Sequence, residues 1–574
     1  MILPVILLSA SVLIAVFNKK LGYIAIAFSA IVFAAISVLS FSLLHAFWLV
    51  ASISWAMISL YSLSYDKYGK WLSALLSIMI AGMSLVLTAN NFILFLAGWE
   101  IMSISSYFIL GLNKSNESPP FLFMAFSEIS TMMILLGFSL AYSETGSLAF
   151  VHLSSSLPLD LTVMGFLIKM GSFPFLLVEW LPAAHGEAPA NASAALSGTM
   201  TLMGAYGIVK MIGISPADVQ LGLLLLGTGA FTAFFGALYA HTTDHYKKLP
   251  AYSTIENNGS ILVLFGAALL SPNLTIKYFA LVGALLFGMA HTFGKTGLFM
   301  ISGLVDGESL SQSNGPRSLT IDAGKALLTS SLSGLLPSLG GVATWMLLEI
   351  TFMLAYVERY TLLGVVFIIS GIVIAIAEGM ATSVMIKFFA FSGAFSLSIK
   401  KSNAWAFLMG IIVLLSGLTA SVIVGAIDSS YIGSAPSLYN YFIIFSLKSS
   451  TSTFGGIDPL YIGILIGAFS LLTVAIFGRP KARRAPVWNN GEAQGEKYTS
   501  TAFSHNIILM LKIFYRPTHY NITKNVFWQF LYFITRAYKK LTKAVTYYVM
   551  NSSISTYMLY MIMLLIFIII IVSL

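Results

Sequence analysis

Nearly the whole chain is a succession of apolar windows of about 20 residues, each long enough to cross a hydrocarbon core about 30 Å thick. About sixteen spans are expected, at residues 2–17, 21–41, 44–61, 72–89, 91–111, 120–142, 161–179, 192–209, 219–240, 252–270, 277–302, 326–356 (with a break), 362–391, 405–427, 459–477 and 555–573. A chain 58% hydrophobic and 9% charged lies far from the balance of a soluble domain. Helices satisfy every backbone polar group without help from water, so the fold class expected is an all-α polytopic membrane protein. The first run, Met1 to Phe17, has no basic segment before it and is expected to stay as the first transmembrane helix.

Against that background the charges within the spans carry information. Lys169 lies inside the run Leu161 to Val178; Glu100 joins two apolar stretches; Glu256 opens another; His291 and Lys295 sit in the middle of a further one, and Lys387 in a fourth. An unpaired charge in hydrocarbon costs about 2.5 kcal/mol or more, so this series points to a protein that moves ions. With no cysteines, the chain has no thiolates for an iron–sulfur cluster or a Cys-type zinc site, and its eight histidines lack a ligand-like spacing. No cofactor or metal is expected in this chain.

The net charge of +9 comes from loop clusters such as Lys19/Lys20, Lys247/Lys248, Lys400/Lys401 and Arg479 to Arg484, beside apolar segments. That is retention of positive charge on the inner face of a cell membrane, not a nucleic-acid surface, and it places both termini outside. Four segments follow: N-terminal helices (1–71), a first five-helix set (72–209), a second (210–391), and C-terminal helices (392–574) with an amphipathic surface stretch at about 505–550. Five is odd, so the second set starts from the opposite side, which is inverted-repeat topology. Each set carries a helix break near a charge: Pro174 after Lys169, and Leu336-Pro337 with Gly340-Gly341.

Three stretches resemble a known family. They are Lys169 with 180-WLPAAHGEAPANASAALSG-198, then 248-KLPAYSTIENNG-259, and 291-HTFGKTGLF-299. The resemblance is to the proton-conducting, antiporter-like membrane subunits of respiratory complex I, membrane-bound hydrogenases and multisubunit cation/proton antiporters. Glu187, Glu256-Asn257, 478-GRP-480 and 486-PVWNNGEAQGEKYTSTAFSH-505 look most like the hydrogenase-4 component B and formate hydrogenlyase subunit 3 branch, although 488-WNNG-491 stands where that branch has Trp-x-Cys-Gly.

The resemblance implies roles. Glu100 modulates Lys169, the relay of the first set; physically, burial disfavours a charged lysine and a nearby carboxylate favours it. His185 and Glu187 form a transfer point beyond the break. Lys248 and Glu256 belong to a polar string with Ser253 and Thr254. His291 and Lys295, four apart and so on one helix face, form the second relay. Lys387 resembles a branch lysine, but its position also fits snorkelling to the inner surface. Two departures stand out: Leu202 replaces a lysine, with Lys210 eight residues on as the substitute, and Trp345 replaces a glutamate, with Glu349 one turn on either preserving an exit carboxylate or marking a weakened path.

The function implied is a proton-translocating, non-redox subunit of a membrane-bound hydrogenase or NADH/quinone oxidoreductase type complex. Iron–sulfur clusters, and nickel–iron or flavin centres, would sit in partner membrane and peripheral subunits. The alternatives are a subunit of a Na⁺/H⁺ antiporter and a structural subunit with reduced conduction.

Overall fold

The computed structural model describes residues 2–65, 68–113, 118–172, 179–305, 307–310, 318–392, 404–428, 445–448, 453–478 and 499–510, together with 532–533, 535–540, 542–543 and 563. Met1–Leu509 form one compact unit and Met510–Leu574 a second. The expected span at 555–573 and most of the expected surface stretch at 505–550 lie outside the described residues.

Helices α1 (Ile2–Phe17), α2 (Lys19–Leu39) and α3 (Leu43–Ser62) come first. The first five-span set follows as α4 (Gly69–Thr88), α5 (Phe92–Gly111), α6 (Ser118–Thr145), α7 (Leu157–Lys169) with α8 (Trp180–Glu187), and α9 (Ala190–Ala195) running through a π-helical turn (Leu196–Met200) into α10 (Thr201–Ile212). The second set is α11 (Val219–Thr242), α12 (Lys248–Leu270), α13 (Leu274–Ser302), α14 (Leu319–Leu332) with α15 (Leu339–Val357), and α16 (Leu362–Phe391). Then come α17 (Trp405–Leu418), α18 (Ala420–Asp428), strands β1 (Phe445–Lys448) and β2 (Thr453–Ile457), α19 (Pro459–Phe477) and α20 (Ser500–Met510). The antiparallel β1–β2 pair is the one departure from an all-helical expectation among the described residues.

Among the described residues, eleven helices are long and apolar enough to span a membrane, or twelve if α17 and α18, bent by 66°, form one span. The expected sixteen is higher because α1 is short, α7 stops after 13 residues, α12 is too polar to pass on hydropathy, and 555–573 lies outside the described residues. Side-chain oxygens fix many helix starts by accepting the orphan amides of the first turn. Asn18, Ser42, Asn91, Asp218, Asn273, Ser338 and Thr361 cap α2, α3, α5, α11, α13, α15 and α16 in this way.

An imidazole takes this part at α12. His245 Nδ1 accepts the amides of Lys247 (3.2 Å) and Lys248 (3.4 Å). In this loop, burial first and then Lys248 and Lys247 push the His245 imidazole from its ordinary 6.5 down to about 3. The folded loop therefore holds it neutral, with its acceptor nitrogen free to cap the helix.

The broken spans occupy the same place, fourth, in each set. The first half of each ends in the same hydrogen-bonded stop around a left-handed glycine. After Lys169, Gly171 (φ +65°) donates to Ile168 O and Ser172 to Leu167 O, both at 3.0 Å. After Leu332, Gly334 (φ +68°) donates to Ser331 O at 2.9 Å and Leu335 to Ser330 O at 3.0 Å. Glycine, not the expected proline, thus closes each first half; Pro174 lies outside the described residues.

Helices α11 and α12 pack backbone to backbone through glycines. A Cβ at Gly259 would stand 2.3 Å from Ala233 N, and one at Gly236 2.4 Å from Glu256 N. Gly259→Val is expected to cost about 1–3 kcal/mol through overpacking, seen as a lower thermal midpoint of the purified protein. Gly227→Ala, with nothing within 4 Å of its Cβ, should leave the midpoint unchanged or raise it.

A pH effect follows from His245. Its folded-state pKa lies below its unfolded value, so its contribution is intact above 6.5 and declines as pH falls below that value. His245→Asn, which keeps an acceptor but cannot titrate, should flatten the acid side of the stability curve; an unchanged slope would reject the neutral-cap assignment.

Candidate functional site

Lys169, the last residue of α7, is 1% exposed. Its ammonium donates to Ser103 Oγ on α5 (2.6 Å) and Ser127 Oγ on α6 (3.0 Å), and lies 5.0 Å from the Phe123 ring centre. Glu100 does not close an ion pair with it. One carboxylate oxygen of Glu100 is buried without a hydrogen-bond partner among the described residues. Glu100 and a second carboxylate, Glu128 on α6, are near enough to act on the Lys169 charge. Sequence reading missed Glu128, Ser103 and Ser127, because hydroxyls and a half-buried glutamate barely disturb hydropathy.

The backbone opened by the break is satisfied from the other five-helix set. Asn258 Nδ2 on α12 donates to Met170 O at 2.6 Å, and Thr232 Oγ1 on α11 to Ser172 O at 2.7 Å. The π-helical turn does the same towards α13. His291 Nε2 donates to Ser197 O at 3.0 Å and Thr292 Oγ1 to Gly198 O at 2.8 Å, so His291 carries its hydrogen on Nε2. Ser197 Oγ also shares a 2.6 Å hydrogen bond with Thr254 Oγ1.

Lys295 is fully buried on α13 one turn after His291. Neither its ammonium nor His291 Nδ1 has a hydrogen-bond partner among the described residues. Glu256 is the carboxylate whose charge reaches Lys295. Glu256 itself accepts from Ser253 Oγ at 3.2 Å and from Asn257 Nδ2. His185, expected beside the first break, is drawn into this second cluster. It is 2% exposed and stacks on Phe299 of α13 at 5.0 Å, with Nδ1 unpartnered.

The remaining expected residues are placed differently. Glu187 is half-buried and accepts from Asn113 Nδ2 at 2.8 Å. Lys248 is half-buried at the start of α12 and close to Gly186. Lys387 is fully buried, with all three hydrogens engaged by His241 O (2.7 Å) and Thr243 O (2.8 Å) at the end of α11 and by Ser504 Oγ (2.9 Å). Lys210 is held by Ala89 O and the Phe150 ring at a helix end, whereas Leu202 packs against Gly288 of α13.

At the second break, Glu349 accepts the Gly455 amide of β2 at 2.6 Å, and so faces the hairpin. Trp345, next to Thr344 on α15, is half-buried. The carboxylate on the other side is Glu378 of α16, 7% exposed, accepting from Ser260 Oγ (3.0 Å) and Thr344 Oγ1 (3.1 Å). It lies in a span of mean hydropathy 2.4, so the rule that singles out Lys387 applies to it equally.

The family model for NADH:quinone oxidoreductase/Mrp antiporter, TM, matches residues 89–386. Hydrogenase-4 component B of Escherichia coli (strain K12) is 34% identical over 282 residues, 45% of this chain and 41% of that protein. Formate hydrogenlyase subunit 3 of the same strain is 30% identical over 279 residues, 46% and 45% of the two chains. The chain thus spans less than half the length of these curated relatives. In fold it is similar to a chain of the membrane-bound sulfane sulfur reductase, an archaeal respiratory membrane complex, with a TM-score of 0.79, 18% identity and full coverage of both chains. A chain of the Mrp complex from Dietzia sp. DQ12-45-1b gives 0.72 at 19% identity, covering 100% of this chain and 62% of that one. With more than half of its length matched, the chain is a multi-pass membrane protein of the NADH:quinone oxidoreductase/Mrp antiporter transmembrane family.

Proposed function

We propose that this chain is the proton-translocating membrane subunit of a multisubunit redox complex of the membrane-bound hydrogenase or NADH/quinone oxidoreductase type. The observation that carries the reading is the state of the two central lysines. A scaffold ion pair in hydrocarbon would be closed and fully hydrogen-bonded, because removing one partner costs about 3–5 kcal/mol. Here one ammonium rests on two hydroxyls and the other has no hydrogen-bond partner among the described residues, while carboxylates stand near both. Groups held in this way exchange protons at small cost.

In this reading Glu100 and Glu128 set the charge of Lys169, and Glu256 sets that of Lys295. His185 and His291 shuttle between the two clusters. Glu187 and Lys248 lie on the route from the lysine-rich end. The expected roles of Glu349 and Lys387 are weaker, since one binds a hairpin amide and the other has no free hydrogen. Redox centres, as iron–sulfur clusters with nickel–iron or flavin, would belong to partner subunits, and the location would be the cell membrane with both termini outside. The Mrp-like fold keeps gradient-driven Na⁺/H⁺ exchange as the second reading.

Lys169→Ala should leave assembly near normal and lower the proton-to-electron ratio of vesicles by roughly tenfold or more, about 1.4 kcal/mol on the transfer barrier. Lys169→Arg should also fail, because arginine stays protonated. An unchanged ratio in both variants would reject the relay, and proton movement that requires Na⁺ without redox turnover would favour the antiporter.

A further inference from the structure

Helix α12 joins the two breaks. Asn258 bonds the carbonyl at the first, while Asn257 and Ser260 face the second. Beside the second break is a small cavity of about 10 Å³, lined by Asn257, Ser331, Gly340, Thr344 and Glu378 among others. That is room for about one water, in a lining polar enough to hold it. Asn257 also bonds the Glu256 carboxylate, so the cavity begins where the Lys295–Glu256 cluster ends.

Glu378 is the carboxylate in this cavity. Its two oxygens take hydroxyls from two different helices, Ser260 of α12 and Thr344 of α15, and no cation is paired with it among the described residues. Two hydroxyl donors do not neutralise a carboxylate in hydrocarbon, and retaining it for packing alone is costly. Glu349 cannot serve here, because it binds the Gly455 amide and is not part of the cavity lining.

We propose that Glu378 is the proton-carrying carboxylate of the second break, receiving protons from the Lys295–Glu256 cluster through water ordered by Asn257. The inference rests on the proton-translocation reading and adds a residue to it. In the step, one proton leaves the Lys295 ammonium for the Glu256 carboxylate, and a proton passes through the cavity water to Glu378. Lys295 ends as the amine, Glu378 as the carboxylic acid, Glu256 as it began, and the proton count is unchanged. Release from Glu378 past Thr344 then returns the carboxylate.

The test compares proton-to-electron ratios in vesicles carrying the assembled complex with Glu378→Gln, Glu349→Gln and Lys169→Ala, complex content being measured in each. Glu378→Gln is expected to lower the ratio by roughly tenfold or more, and by more than Glu349→Gln does. An unchanged ratio in Glu378→Gln while Lys169→Ala loses transport overturns the Glu378 assignment and leaves the functional reading standing. Unchanged ratios in both overturn that reading and this inference with it. If Glu378→Gln does not accumulate, Thr344→Val decides, since it keeps the charge but removes one hydroxyl: a lowered ratio supports the proposal and an unchanged one overturns it.

Discussion

In hydrocarbon a helix cannot be interrupted unless something else accepts and donates for the backbone it exposes, and most of this structure depends on how that need is met. The carbonyls freed after Lys169 are taken by Asn258 and Thr232, and those of the π-helical turn by His291 and Thr292. Every one of these partners belongs to the opposite five-helix set. The first break and the π-helical turn therefore do more than make room for charge; they bind the two sets together along a polar seam, whereas Ser333 O at the second break is taken by Thr382 of its own set. Helix α12 is the spine of that seam, which explains why a helix so deeply buried is also too polar to read as an ordinary span.

The two lysines are held differently. Lys169 has two hydroxyl partners and two nearby carboxylates. Lys295 has one nearby carboxylate and no hydrogen-bond partner among the described residues. On the Lys295 side stand His291, with one nitrogen committed to a carbonyl and the other without a partner among the described residues, and His185, which stacks on Phe299.

Much of this was legible in the residues. Apolar length located the spans, and charges that offend hydropathy located Lys169, Glu256, His291 and Lys295 in the core. The identity of the helix stop was harder, since proline is the louder signal and the left-handed glycines Gly171 and Gly334 are silent until backbone angles are seen. The partners of Lys169 are serines that hydropathy does not flag. The stacking of His185 on Phe299 of α13 leaves no trace in the sequence, because the two residues are far apart along the chain. Glu378 was open to the same test as Lys387 and was passed over beside a family pattern that pointed to Trp345 and Glu349.

The central claim is that electron transfer in partner subunits drives protons through this chain. It is tested most directly by reconstituting the purified complex with its natural partners in sodium-free liposomes and following internal pH during redox turnover. The account predicts a pH gradient that builds with turnover and collapses on adding a protonophore. Sustained redox turnover with no gradient in sealed liposomes would contradict it.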